Sequence, residues 1–163
     1  MVEMFTENSA RNAREQRESK RLAQVNTARI VVNTTPIPKA RPRFTKTGRV
    51  YTPKKTADFE RLVYLAAVDQ LGGMKPIEGP LSVSMCFELP IPRSWSKKKR
   101  AEAAEYRILP TKKPDIDNLA KSAIDALNGR VFKDDSQVCS LFLEKFYSEN
   151  PNLTIDLTWK DYE

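Results

Sequence analysis

Of the charged residues between Lys112 and Val138, the carboxylates Asp115, Asp117, Asp134 and Asp135 and the lysine Lys121 have the spacing to do chemistry together. Two carboxylates as near in sequence as Asp115 and Asp117 repel each other, so they either share a proton or hold a cation. Hard oxygen ligands suit Mg²⁺ or Mn²⁺. Zinc and iron are disfavoured, because the chain has no histidine and only two scattered cysteines, Cys86 and Cys139. Mg²⁺ usually takes few protein carboxylates and completes its shell with water and substrate phosphate. The grouping therefore reads as a phosphate-handling metal site, against the simpler alternative of helix-capping and solvated acids.

Local structure must position these groups. Pro114 disfavours a helical Lys113, after which Ile116, Leu119, Ala120, Ala123, Ile124 and Leu127 recur at helical spacing until Asn128-Gly129 supplies a stop. A helix of roughly three turns should start at or near Asp115. At about 100° per residue, Asp117 borders the apolar stripe, Lys121 follows one turn on, and a helical Asp115 would point nearly the other way. To share an ion with Asp117, Asp115 must therefore lie on extended chain, where residues i and i+2 face one way. Asp134-Asp135 precedes an apolar run that reads as a strand, and a strand folding back beside the start of the helix would bring a third carboxylate.

The string Lys113-Pro-Asp-Ile-Asp-Asn-Leu-Ala-Lys121, followed by Asp125-Ala-Leu-Asn-Gly129 and Lys133-Asp-Asp-Ser-Gln-Val138, closely resembles the RusA family of Holliday junction resolvases. Pro36-Ile-Pro-Lys-Ala-Arg-Pro-Arg43 and Tyr51-Thr-Pro-Lys-Lys55 are similar to the N-terminal signature of many phage and prophage members. The resemblance covers roughly residues 30–159. It implies metal-binding catalytic acids at Asp115, Asp117 and Asp135, a catalytic lysine at Lys121, and an acidic neighbour at Asp134 that could also touch metal. It also implies Mg²⁺ as cofactor with Mn²⁺ able to substitute, branched DNA as substrate, and a homodimer. Residues 1–27 and the segment 94–112 are not matched by the compact members.

Charge distribution supports a polyanionic partner independently. The net charge is +7, and between Glu18 and Asp58 there is no acid while ten Lys and Arg residues occur. Pro36 to Tyr51, rich in proline and carrying Phe44 and Tyr51 among its cations, should be a loop or ribbon suited to a nucleic-acid backbone. Lys39, Arg41, Arg43, Lys46, Arg49, Lys54 and Lys55 are the expected DNA contacts. Lys54 and Lys55 would oppose the dipole of the helix they begin unless an anion lies near.

The rest of the chain supplies a scaffold. Residues 1–27 are polar and read as a tail, disordered or a solvated helix, and residues 28–163 as one nuclease-like domain. Ile30-Val31-Val32 predicts a first strand. Thr52-Pro53 predicts a helix start, with Thr52 as N-cap, and Gly72-Gly73 its end. Leu81 to Leu89 alternates as a strand, and Ser94 to Tyr106 predicts a polar helix capped by Ser94 or Ser96. Val138–Tyr147 and Leu153–Trp159, joined through Asn150-Pro151-Asn152, are expected to form an antiparallel hairpin. The sum is a single small α+β domain with a mixed or antiparallel sheet of about four strands and about three helices. No segment predicts a membrane span or a secretory leader, which fits a cytoplasmic protein of a prokaryotic or phage-infected cell.

The leading expectation is a Mg²⁺-dependent endodeoxyribonuclease that resolves four-way or other branched junctions by paired phosphodiester hydrolysis. The rivals are a non-catalytic branched-DNA-binding module and an Asp-x-Asp nucleotide-sugar transferase. For the transferase, nothing else in the chain suggests a donor-binding domain.

Overall fold

The computed structural model describes residues 25–160. Most of the expected polar tail lies outside the described residues, and the first strand, β1 (Val25–Val32), begins at Val25 and ends with the predicted Ile30-Val31-Val32. A short ribbon follows, β2 (Arg43–Phe44) and β3 (Val50–Tyr51), then helix α1 (Lys54–Leu71) and strand β4 (Leu81–Pro90). Helices α2 (Lys97–Ala104) and α3 (Ile116–Leu127) lead through a 3₁₀ turn, Asp135–Gln137, to β5 (Val138–Ser148) and β6 (Asn152–Lys160). As expected, this is a single small α+β domain with a mixed four-stranded sheet.

Sheet order is β1-β6-β4-β5, with β4 and β5 parallel and the other pairs antiparallel. The expected hairpin of β5 and β6 is therefore overturned, because β4 lies between them. Leu81, Val83, Met85, Phe87 and Leu89 of β4 are all buried and alternate with less buried residues. So regular an apolar face is most fully covered when β4 has a neighbour on both sides. The three residues between β5 and β6 cross the end of β4. That span is roughly two strand spacings, or about 10 Å, which four Cα steps of about 3.8 Å reach easily.

One face of the sheet carries the core. Ile30 and Val32 of β1, the inward residues of β4, and Leu153, Ile155 and Leu157 of β6 pack against Phe59, Val63 and Ala67 of α1 and against Leu119, Ala120, Ala123 and Leu127 of α3. Truncating a fully buried member such as Phe87 to Ala would cost about 3–5 kcal/mol. Helix α1 starts one residue later than predicted, since Pro53, with ψ 140°, is itself the N-cap. Its carbonyl accepts from the Thr56 and Ala57 N–H groups at 3.0 and 3.1 Å. The helix stops at Gly72, whose φ of 59° an L side chain rarely adopts. Near that end Gln70 accepts from the Val31 N–H and donates to the Val31 carbonyl, both at 2.8 Å, satisfying the outer edge of β1 there.

Helix α2 is capped by Ser96, whose hydroxyl accepts from the Lys99 N–H at 3.3 Å. The segment around it wraps β5. Trp95 meets Tyr147 edge to face at 5.1 Å, and Tyr106 meets Phe146 in the same way at 5.1 Å. Phe146 and Tyr147 are adjacent in β5, and adjacent residues of a strand point to opposite faces, so the strand is gripped from both sides of the sheet. No helix among the described residues is long and apolar enough to cross a membrane.

Candidate functional site

The start of α3 has the geometry that the spacing of its acids demands. Asp115 is extended, with φ −71° and ψ 139°, and is the N-cap, while Asp117 occupies the first helical turn. An aspartate at an N-cap normally accepts a hydrogen bond from an N–H of the first turn. The Asp115 side chain makes no such bond. Asp115, Asp117 and Lys121 are all exposed, and among the described residues none of the three has a side-chain hydrogen bond or ion pair. The apolar residues of α3 fix this face outward, with Leu119, Ala120 and Ala123 buried on the other side. Ser122 is buried with them, and its hydroxyl has no partner among the described residues.

The second acidic pair is divided in its duties. Asp134 caps the 3₁₀ turn, its carboxylate accepting from the Ser136 N–H at 2.9 Å while the Gln137 side chain accepts from the Asp134 N–H at 2.8 Å. Hydrogen bonding from Ser136, through its side chain and its backbone, holds the Asp134 carboxyl below the usual range. Gln137 also donates to the carbonyls of Ile77 and Gly79 at 3.0 and 2.9 Å, fastening the turn to the chain before β4. Asp135 is exposed and, among the described residues, its carboxylate has no partner.

The expectation that Asp135 folds back beside Asp115 and Asp117 is not met within the chain. Among the described residues no three of Asp, Glu and Cys are gathered as an ion-binding group. Topology explains this. A connection between the parallel strands β4 and β5 must carry the chain back along the sheet before the second strand begins. Helix α3, about 18 Å long at its rise per residue, lies in that connection. Asp115 precedes it, while Phe132, bridged to Asn128 and Ile77, brings the chain toward Asp135 at the other end.

The basic segment forms a projecting ribbon. Arg43 pairs with Tyr51 and Phe44 with Val50, and the turn between is closed by the Thr45 N–H donating to the Arg49 carbonyl at 2.8 Å. Phe44 is 72% exposed, and among the described residues Arg41, Arg43, Lys46, Arg49 and Lys55 have no side-chain partner. Lys54 pairs with Asp58 one turn along α1, at 2.6 Å on an open surface. Lys39 differs from the rest. Its ammonium lies 2.6 Å from Glu60 on α1 and 2.7 Å from Asp125 on α3, with only 21% of the side chain exposed. Burial pulls its pKa down, but the hydrogen bonds to Asp125 and Glu60 outweigh it and the net direction is up. So Lys39 joins two helices and is not open to a DNA phosphate. Its backbone N–H donates to the Asn118 carbonyl at 2.8 Å, which fixes the base of the ribbon against the first turn of α3.

Lys145, on β5, drew no notice in the sequence. Its ammonium donates to the carbonyls of Lys112 and Pro114, both at 3.1 Å, and so holds the chain that leads into Asp115. A lysine in the middle of an apolar strand is the signal that could have pointed to it.

Residues 33–158 match the protein family described as "Endodeoxyribonuclease RusA". A relative from Bacillus subtilis (strain 168), bearing the name "Uncharacterized protein YqaN", is 40% identical over 125 residues, which cover 74% of this chain and 87% of the relative. The family match spans the basic ribbon, both acidic pairs and Lys121.

Proposed function

The chain belongs to the RusA family of endodeoxyribonucleases, and on that premise we propose that it resolves four-way and other branched DNA junctions by metal-dependent hydrolysis of phosphodiester bonds. Membership implies endodeoxyribonuclease activity. The observation that carries the finer reading is the bond from the Lys39 N–H to the Asn118 carbonyl, because it ties an exposed Arg- and aromatic-bearing ribbon to the turn that presents Asp115 and Asp117. A DNA backbone held by Arg41, Arg43, Lys46 and Arg49 is thereby held beside the acids.

Asp115 and Asp117 fit a hard divalent cation. They are exposed oxygen donors without hydrogen-bond partners among the described residues, and the chain contains no histidine to favour a softer metal. They would hold Mg²⁺, or Mn²⁺ in its place. Such an ion, when bound, supplies an acidified water and neutralises charge on a phosphate oxygen. The protein's own groups orient the substrate: the unpaired N–H groups at the start of α3 attract phosphate, and the Lys121 ammonium, one turn on, stabilises negative charge that builds up in the reaction. Asp135 is assigned as a further ligand, with Asp134 shaping the turn that presents it.

A homodimer suits this arrangement. A four-way junction has twofold symmetry, and a C₂ pair offers two sites for two cuts. A second copy is also a source for the third carboxylate, since α3 stands between Asp135 and the first pair within one chain. The surface that supports pairing is the edge strand β5, where Leu141 and Phe142 are 44% and 59% exposed shortly after Asp135. A protein acting on DNA in a prokaryotic or phage-infected cell works in the cytoplasm.

The direct test is incubation of purified protein with a labelled four-way junction and a matching linear duplex, with Mg²⁺ or with EDTA. Paired cuts in the junction alone, only with metal, are expected. Absence of cutting with both Mg²⁺ and Mn²⁺, or cutting that persists in EDTA, would overturn the assignment.

A further inference from the structure

A groove of about 910 Å³ opens beside Asp115, between the chain that leads into the basic ribbon and the segment from Trp95 to Thr111. Hydrolysis as described above makes no use of it. Its volume lies within the range of small-molecule sites. Ile37, Ile108, Leu109, Trp95 and Tyr147 provide apolar and aromatic walls. Trp95 is half-buried, braced edge to face against Tyr147, and the Lys99 ammonium lies 4.0 Å from its ring centroid.

The charge around the groove is one-sided. Lys99, Lys112 and Lys113 line it, and among the described residues Asp115 is the one acid that does. Lys112 and Lys113 are exposed and, among the described residues, their ammonium groups are unpaired. Lys145, by its two bonds to backbone carbonyls, keeps the lysine-bearing rim in a fixed relation to the sheet.

We propose that this groove receives a single unpaired nucleotide displaced at a branch point, its base against the Trp95 and Leu109 wall and its phosphate toward Lys112 and Lys113. The inference rests on the DNA reading of the neighbouring site and adds to it a means of telling branched from continuous duplex. Bases in an intact duplex are stacked on one another and offer no face to an aromatic wall, whereas an unpaired nucleotide does. Apolar and aromatic side chains for a base, cations for a phosphate and a boundary formed by the candidate metal ligand occur together here. The segment 94–112 thereby gains a role in substrate choice.

The test measures binding without metal, so that it is independent of cleavage. In EDTA, the full chain is titrated against a fluorescein-labelled duplex carrying three unpaired thymidines in one strand and against the fully paired duplex of the same length. Preference for the first is expected, and Trp95→Ala should reduce that preference by roughly tenfold, the scale of one stacked base, while leaving affinity for paired duplex within about twofold. Because Trp95 packs on Tyr147, Leu109→Asp serves as the second variant: Leu109 is 52% exposed, so the fold tolerates the change, and the new carboxylate should remove the preference by repelling phosphate. Equal binding of both DNAs by the parent protein, or a preference that survives Leu109→Asp, would overturn the proposal. If the preference is present but the junction is never cut with Mg²⁺, the groove stands and the nuclease assignment falls. Cutting without any preference has the reverse meaning.

Discussion

Asp115 and Asp134 occupy the same kind of place, the residue immediately before a helical turn, and they behave in opposite ways. Asp134 is locked into a reciprocal cap with Gln137, whereas Asp115 stands before a helix of twelve residues and its side chain caps nothing. The same division separates Lys39, held between two carboxylates, from Arg41 and Arg43, which have no partner among the described residues. Position along the chain does not distinguish the members of either pair. What distinguishes them is whether the protein itself completes their hydrogen bonds, and the groups left incomplete are those that a metal ion or a phosphate could complete.

Substitutions can break this contrast. Asp117→Asn should have the largest effect, a fall in junction cleavage of about a thousandfold or more with Mg²⁺, while gel-shift affinity for the junction stays within about twofold. If Asp134→Asn abolished cleavage equally, the distinction between capping and liganding acids would fail. Lys39→Ala should cost about 2 kcal/mol in denaturant unfolding, because Glu60 and Asp125 would be left facing each other, half-buried and uncompensated. It should leave the salt dependence of DNA binding unchanged. An Arg41→Ala, Arg43→Ala double variant should do the reverse, unfolding like the parent but losing roughly tenfold in affinity at moderate salt, with a log–log salt slope shallower by about 2.

The contrast also sharpens at the low end. The Ser122 hydroxyl is without a partner among the described residues too, but it is buried, so it has no ligand to await and only destabilises. Ser122→Ala should raise stability by about 1 kcal/mol with no change in cleavage rate. The smallest effect concerns pH. Asp134 has its folded pKa depressed by bonding from Ser136, so its cap is intact above the ordinary carboxylate pKa and weakens as pH falls through the lower folded value. The Ser136 amide proton chemical shift, followed downward from neutral pH, should hold through the usual carboxylate range and change only below it.

The sequence was most informative where one residue type in one place has a single physical solution. Pro114 and the apolar period of Ile116 to Leu127 set the helix, and the angular separation of Asp115 from Asp117 required an extended Asp115, which is its conformation. Strand adjacency was less accessible. Asn150-Pro151-Asn152 has the composition of a hairpin turn, and nothing local to β5 or β6 shows that β4 intervenes, because a pairing between distant strands leaves no mark on either turn. That same topology separates Asp135 from the first acidic pair. The partners of Lys39 were hidden for a related reason: Glu60 and Asp125 lie on different helices, and a cation in a basic run resembles its neighbours until those helices are brought together.

Among the described strands, β6 is made last and yet lies in the interior of the sheet, with β1 on one side and β4 on the other. A ribosome that has already produced every acid and every arginine of the site has still not produced the strand that joins the two halves of the platform. Until Asn152–Lys160 emerges, β1 has no neighbour and α1 lacks much of the surface on which it rests. The half-made polypeptide thus carries the residues of the candidate site without the platform beneath them, because an interior strand of the sheet is the last of the described strands to be made.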